Sequence, residues 1–526
     1  MALALAFFAG RLVHTAFEKS VTTDETAYIG TALYLWESGQ YDFATTLRFH
    51  PPLAFHLAGL LLPTLDLAGL EPGPQLGREI LTGAGPSVVR FRMLSRLPFI
   101  LLACWGALLV YLWVREAAGP GAGLLALFLF TFSPTVLASA HLAHTDIAVS
   151  VFYLQTLYAF WRWHSRPTRL RYALCGLSLG IALAAKLSAI PLAAALALLH
   201  VWSASGLPSF SSSAEGGAGL GSRLGRAALQ YGGWIAISVV VIWLSYGGSF
   251  AAAVSEGGPT EGMLLPAYVQ NFFFDVEANN LGRPLYLMGS YSNHGWWYLI
   301  WFAFLIKTPI GLLGLLALAI ATKRRLPGGI APFLLLPFAV YGFIVTFVLE
   351  IHLGLRYLMP ILPLVHIFIA LRLVPFEGRA RRAFVAFACG WIAVASIWIH
   401  PHYMAYFNES IGGPKNGHQY VADSNVDWGQ DLPVLASYLQ ERGNPDVWLA
   451  FFGPEHPEVY GIRSRPLRGC EPVTGLVAIS VNVLRRLYWP DDAFGRPPEG
   501  CFDWLLEHDV VARPGYSILV YEIPDS

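Results

Sequence analysis

Two adjacent acids raise the first chemical question. In "VTTDETAYIGTALYLWESGQYDFATTLRFHPPL" (residues 21–53), Asp24 and Glu25 directly follow the first apolar run. Ionisable groups beside a bilayer are costly enough to count as functional candidates. Thr23 is placed to cap a helix whose first turn holds both carboxylates, with Tyr28, Ala32, Leu35 and Trp36 following at helical spacing. Acids in a first turn also favour the helix dipole without doing chemistry. Here they stand at a membrane surface beside a long polar loop, which favours chemistry. A second carboxylate, Asp146, lies in "ASAHLAHTDIAVS" (138–150), a short turn between apolar runs that also holds His141 and His144. Carboxylates brought together from two helices suit general-base catalysis or metal binding. Two histidines are thin evidence for a metal, and the candidate ligands would be Glu25, His144 and Asp146. The sequence leaves two routes for Asp24: like-charge repulsion that raises its pKa, or a metal that lowers it.

Three cations interrupt apolar runs: Lys186 in "IALAAKLSAIPL", Lys307 in "LIKTPIGLL" and Arg356 in "EIHLGLRYLMP". Snorkelling explains any one of them alone. Three near one side of the membrane, with acids above them, suggest a site for an anionic lipid headgroup.

The elements that must position these groups are membrane helices. The chain has 526 residues, 55% hydrophobic and only 13% charged, with a mean hydropathy of +0.51. Those values lie outside the soluble globular range. With 34 basic and 34 acidic residues, no global field argues for a nucleic-acid partner. A span needs about 20 apolar residues. Eleven candidate runs lie near 1–17, 97–114, 121–138, 146–163, 172–186, 188–203, 231–247, 297–320, 330–349, 357–373 and 383–399. The first lacks a basic leader and a small-residue cleavage site, so it reads as a span and not as a signal peptide.

A twelfth run, 52–70, would invert everything after it, and the positive-inside rule argues against it. With eleven spans, Arg115, Arg162, Arg166, Arg169, Arg171, Lys323, Arg324, Arg325, Arg372 and Arg379 all stay inside. Residues 52–70 are then expected to form a helix in the interface. Arg78, Arg90, Arg92 and Arg96 stay outside in the long loop 18–96, where the rule is weak. Residues 203–222 read as a flexible inner linker.

The expected architecture is a polytopic α-helical membrane domain over 1–400, its outer loop 18–96 carrying the acidic pair. A small extracytoplasmic α/β domain over 401–526 follows, with strands in "VWLAFFG", "LVAISVNVL" and "YSILVYEI". Cys470 and Cys501 are the only cysteines of that outer domain and are expected to pair. A secondary transporter of an anionic substrate is the competing reading, but it predicts inverted repeats that the sequence does not display. A structural or assembly protein is the third.

The order "DETAY…HPPL", "HTD", "AAKLSAIP", "GSYSNHGWWYLIWFAFLIKTP" and "LRYLMPILPL" resembles the GT-C glycosyltransferases of the protein O-mannosyltransferase and aminoarabinose transferase type, glycosyltransferase family 39. The resemblance covers roughly residues 1–400. It implies a GT-C-like fold and transfer of a sugar from a polyprenyl-phosphate donor, with inversion, to a protein, lipid or glycan acceptor. The site would lie on the outer face, and the membrane would be the bacterial inner membrane. It implies Asp24 as catalytic base, Glu25 and Asp146 as supporting acids, and leaves a divalent metal open. Lys186, Lys307 and Arg356 would face the lipid phosphate. The tail "FNESIGGPKNGHQYVADSNVDWGQDLPVLASYL" resembles the C-terminal region of bacterial members and carries no assigned chemistry.

Overall fold

The structure, a computed structural model, describes all residues except 40, 42–48, 64–75, 78–79, 82–85, 206–218, 249–265, 490–495 and 526. Every one of the eleven apolar runs is helical over most of its length. Four described helices are long and apolar enough to cross a membrane: Val88–Ala118, Leu187–Ser205, Leu220–Ser245 and Arg379–Trp398. Two bent pairs raise that number to six. The pairs are Pro120–Thr131 with Pro134–Ala140, bent by 64°, and Leu299–Lys307 with Ile310–Ala321, bent by 111°. Both breaks have a local cause. Ser133 and Thr308 precede prolines and are extended, because the proline ring disfavours helical geometry at the residue before it. The remaining runs are helices of 17 residues or fewer, or, in Thr145–Ser165, richer in polar and aromatic side chains.

Helix α1 (Ala2–Glu18) leads through a four-residue link into α2 (Thr23–Ser38), which packs on α3 (Leu53–Gly59). The expected interfacial helix over 52–70 is helical at Leu53–Gly59 and ends there; residues 64–70 lie outside the described residues. Helix α2 does not lie flat with one wet face: Glu25, Thr26, Tyr28–Leu33 and Leu35 are all buried, while Trp36 is exposed. Its cap is Thr22, one residue earlier than expected, because Thr22 and Glu25 form a reciprocal capping box.

After residue 400 the expected α/β character is present. Strands β3 (Val447–Ala450), β4 (Ser464–Pro466), β5 (Gly475–Ser480), β6 (Val510–Ala512) and β7 (Ile518–Ile523) form a mixed sheet in the order β4-β3-β5-β7-β6. The three central strands are those the apolar runs predict; β4 and β6 are short edge strands with no such run. Alternation along β5 and β7 puts Ala478, Ile518 and Val520 against the helix Leu432–Glu441. Val477, Ile479, Leu519 and Tyr521 face the other way, onto Leu299, Ile306 and the hairpin of β1 (Leu285–Leu287) and β2 (Ser290–Ser292). The sheet is therefore seated on the helical part through one whole face. Cys470 and Cys501 form a disulfide with Cα atoms 4.5 Å apart.

Candidate active site

Glu25 organises the start of α2. Its carboxylate accepts the Thr22 N–H at 3.0 Å and two bonds from Arg96, Nε at 2.8 Å and Nη2 at 2.6 Å. It also accepts the N–H of Ala143 at 2.9 Å. Arg96, on the helix Pro86–Ala118, donates further to the carbonyls of Ala16, Lys19 and Ser20. Both side chains are fully buried. Burial pushes the Glu25 carboxyl up, but the Arg96 charge and hydrogen bonds outweigh it and bring it down to about 2. Glu25 thus joins α2, the helix of Arg96 and the turn before Asp146. Its carboxylate does not face Asp24.

Asp24, one position earlier and about 100° round the helix, points into a partly open cluster with its side chain 38% exposed. Its Oδ2 lies 3.3 Å from His144 Nε2 and 3.3 Å from Arg356 Nη1. His144 caps the helix Thr145–Ser165, its Nδ1 3.3 Å from the Asp146 N–H and 3.0 Å from Asp146 Oδ2. Asp146 Oδ1 holds Lys186 Nζ at 2.6 Å, and Arg356 Nη1 reaches Asp146 Oδ2 at 3.5 Å. Lys186 sits at an extended break between Arg169–Ala185 and the next helical turn, which turns its side chain inward. Asp24, Asp146, Lys186, Arg356 and His144 therefore form one cluster.

Burial raises the Asp24 carboxyl, but the His144 hydrogen bond and the Arg356 and His144 charges more than offset it and hold it below the usual carboxylate range. The like-charge route does not prevail: the lowering comes from side chains already present, His144, Arg356 and Arg283.

Lys307 and His141 are not bonded within the cluster, although Lys307 lines one small cavity together with Arg356 and Trp428. Lys307 is buried and donates to the carbonyls of Met404 at 2.7 Å, Tyr406 at 3.2 Å and Asn425, so it holds the 404–425 stretch in place. His141 Nδ1 is 2.9 Å from the Leu137 carbonyl of its own helix.

The carboxylates that could hold a divalent cation are already engaged, although Asp146 Oδ2 has no hydrogen-bond partner. Both carboxylates of the cluster face basic side chains, and Glu25 faces Arg96. Among the described residues no three His, Cys, Asp or Glu side chains converge as ligands.

Several residues escape sequence reasoning. Arg96 and Arg92 look like violations of the positive-inside rule. Arg96 is neutralised by Glu25, and Arg92 faces Glu455 at 3.9 Å. An acid and an arginine about 70 residues apart give no local signal. Trp428 stacks on Arg356, 4.1 Å from ring centre to guanidinium carbon. Exposed Arg283, beyond the helix Ala267–Leu281, contributes its charge to the field at Asp24. A carboxylate held ionised at a wet opening, with cations beside it, can take a proton from a hydroxyl while an anion is bound next to it.

Residues 1–245 match the sequence model of the dolichyl-phosphate-mannose-protein mannosyltransferase family. Over its whole length the chain is similar in structure to ArnT from Cupriavidus metallidurans bound to undecaprenyl phosphate. The TM-score is 0.51 at 14% identity, covering 100% of this chain and 99% of that one. The likeness at that identity is one of fold. The archaeal oligosaccharyltransferase AglB from Archaeoglobus fulgidus matches with a TM-score of 0.45 at 13% identity, over 94% of this chain and 71% of that one. The S. cerevisiae protein O-mannosyltransferase complex matches with a TM-score of 0.38 at 18% identity, over 47% of this chain and 32% of that one. No curated protein matches the chain.

Proposed function

We propose that the protein is a glycosyltransferase of the GT-C superfamily that works from a polyprenyl-phosphate carrier, a reading supported by the family match over residues 1–245 and by the likeness of fold. From that premise we propose that it transfers one sugar from a polyprenyl phosphate to a hydroxyl of a protein, lipid or glycan, with inversion at the anomeric carbon. The reaction takes place at the outer face of a bacterial inner membrane. The acceptor hydroxyl donates to Asp24. As its oxygen attacks the anomeric carbon, the proton passes to the Asp24 carboxylate. The bond from that carbon to the phosphate oxygen breaks, and its electron pair leaves with the polyprenyl phosphate. One base suffices because the leaving group needs no proton. The leaving phosphate gains a negative charge, and Arg356 and Lys186 are assigned to stabilise it.

The observation that carries this reading is that Arg356 touches both Asp24 and Asp146, so the base and the anion site share one cluster. Both contacts of Asp24 use Oδ2, which leaves Oδ1 to the acceptor. Two acids and two cations already balance within the cluster, so a bound phosphate needs a further positive charge. Arg283 at the opening is assigned that part. Lys307, its Nζ engaged by buried carbonyls, is left out of the donor site. The reading assigns no step to a metal, because both carboxylates of the cluster already face cations. The transporter reading loses its footing with a match to an enzyme family.

The test is the stereochemistry of the product. Purified protein given a polyprenyl-phosphate sugar of defined anomeric configuration should yield the opposite configuration by NMR. Retention would contradict a single-base displacement.

A further inference from the structure

The motif "DSNVDWGQD" (423–431) occupies the seam between the C-terminal sheet and the start of α2. Its polar side chains fasten it to the sheet. Asp427 accepts from Ser480 Oγ and from the Asn482 N–H at 3.2 Å, and Asn482 Nδ2 donates to the Asp427 carbonyl at 2.9 Å. Asp431 accepts from Ser517 Oγ at 2.6 Å and from Gln430 Nε2 at 2.8 Å, and pairs with buried Lys19. The turn needs its glycine: Gly429 has φ +84°, the left-handed region.

On the other side the same segment carries the link between α1 and α2. The Ser20 N–H donates to the Gln430 carbonyl at 3.1 Å, and the Thr23 N–H to the Trp428 carbonyl at 3.0 Å. Ser20 Oγ donates to the Gly429 carbonyl at 2.9 Å. The backbone immediately before Asp24 is thus laid on residues 428–430. The Trp428 side chain, 5% exposed, covers the Arg356 guanidinium at 4.1 Å and meets the His144 ring edge-on at 5.0 Å. Arg356 and His144 are the two groups bonded to Asp24.

We propose that Trp428 is a positioning residue of the transfer reaction, holding Arg356 and His144 against Asp24 and so making the C-terminal domain part of the active site. The inference rests on the reading of Asp24 as the base. An indole face is the strongest aromatic partner for a guanidinium, and this one fixes the plane from which Nη1 reaches Asp24. Without it Arg356 gains rotamers and His144 loses its edge contact. The base is then held in the wrong place, and its carboxyl returns toward the ordinary range. The charged and titratable groups facing Asp24 are His144, Arg356, Arg283, Tyr28, His50, Tyr488 and, from the motif itself, Asp423. Only the first two touch Trp428.

The test compares Trp428→Leu, Trp428→Phe and Asp24→Asn in the full-length protein, after thermal unfolding confirms folding. Transfer from a polyprenyl-phosphate sugar is followed against pH. Trp428→Leu should lower kcat by about 10²-fold, the cost of misplacing a reacting group, with KM for the donor changing less than threefold. The acidic limb of its rate profile should move to higher pH, because Asp24 returns toward an ordinary carboxylate. Trp428→Phe, which keeps a ring with a weaker face, should fall between wild type and Trp428→Leu in both rate and limb position. A lower rate with an unmoved limb marks a merely structural role and overturns the inference, as does a wild-type rate in Trp428→Leu. Should Trp428→Leu not fold, Trp428→Phe decides by the same limb. Asp24→Asn separates the two readings: if it keeps full activity, the base assignment fails. If it is inactive while the Trp428 variants behave as wild type, only the present inference fails.

Discussion

Lys186 and Lys307 look alike in the sequence, each a single cation in an apolar run, and structure gives them different tasks. Lys186 meets Asp146 at the edge of the cluster, whereas Lys307 is enclosed by three carbonyls that begin 97 residues away. What a lysine bonds to depends on distant chain, so no local pattern separates them. Replacing Lys186 with Met should weaken binding of a polyprenyl-phosphate sugar by about 10- to 100-fold, the worth of one charge-assisted hydrogen bond, with a smaller loss of stability than at Lys307, because buried Asp146 keeps Arg356. Replacing Lys307 with Met leaves buried carbonyls unpaired and should lower stability by more than about 3 kcal/mol. Titration calorimetry and thermal unfolding in detergent separate the two. Equal loss of donor affinity in both variants would return Lys307 to the phosphate site. Asp24 stood out in the sequence because an acid pair beside a membrane run is rare. Its depressed pKa was not, because His144 and Arg356 lie 120 and 332 residues further on.

At the scale of elements, the Glu25–Arg96 pair fixes how α2 enters the site. Its contribution to stability follows from the depressed Glu25 pKa. A carboxylate lowered on folding stabilises the native state fully above its unfolded value of 4.5, and loses that contribution as pH falls toward about 2. The shift corresponds to about 3 kcal/mol. Glu25→Gln should therefore lower the melting temperature at pH 7 and flatten its fall between about pH 4.5 and 2. A Glu25→Gln protein as stable as wild type would show the pair to be dispensable. Helix existence was largely legible, since each apolar run is helical; helix continuity was not. The breaks at Ser133 and Thr308 follow from prolines that hydropathy does not register. The cap shifted from Thr23 to Thr22 because only Thr22 stands three residues before Glu25.

Across the whole molecule, Asp24, Asp146, Arg356 and Trp428 meet in one place, so α2, the start of Thr145–Ser165 and the C-terminal sheet belong to one side. From Asp146 to Arg162 along that helix is about 24 Å, close to the thickness of a hydrocarbon core. Arg162 pairs with Glu116 at the far end, at 3.5 Å. Single cysteines at Arg166 and Arg324 should be labelled only after the membrane is permeabilised, and one at Glu441 in intact cells. Labelling of Glu441 only after permeabilisation would reverse the topology. The two-sided burial of the sheet was not legible. Alternating strands announce two faces, but nothing local says that one of them seats on residues 285–306.

The central claim is that Asp24 removes the acceptor proton while the neighbouring cations hold the donor. The direct measurement is transfer by purified Asp24→Asn protein from a polyprenyl-phosphate sugar, beside donor binding by the same preparation. Asparagine keeps the shape and the bond to Arg356 is weakened, so the rate should fall by about 10²–10⁴ with donor affinity largely kept. Transfer at the wild-type rate would contradict the mechanism.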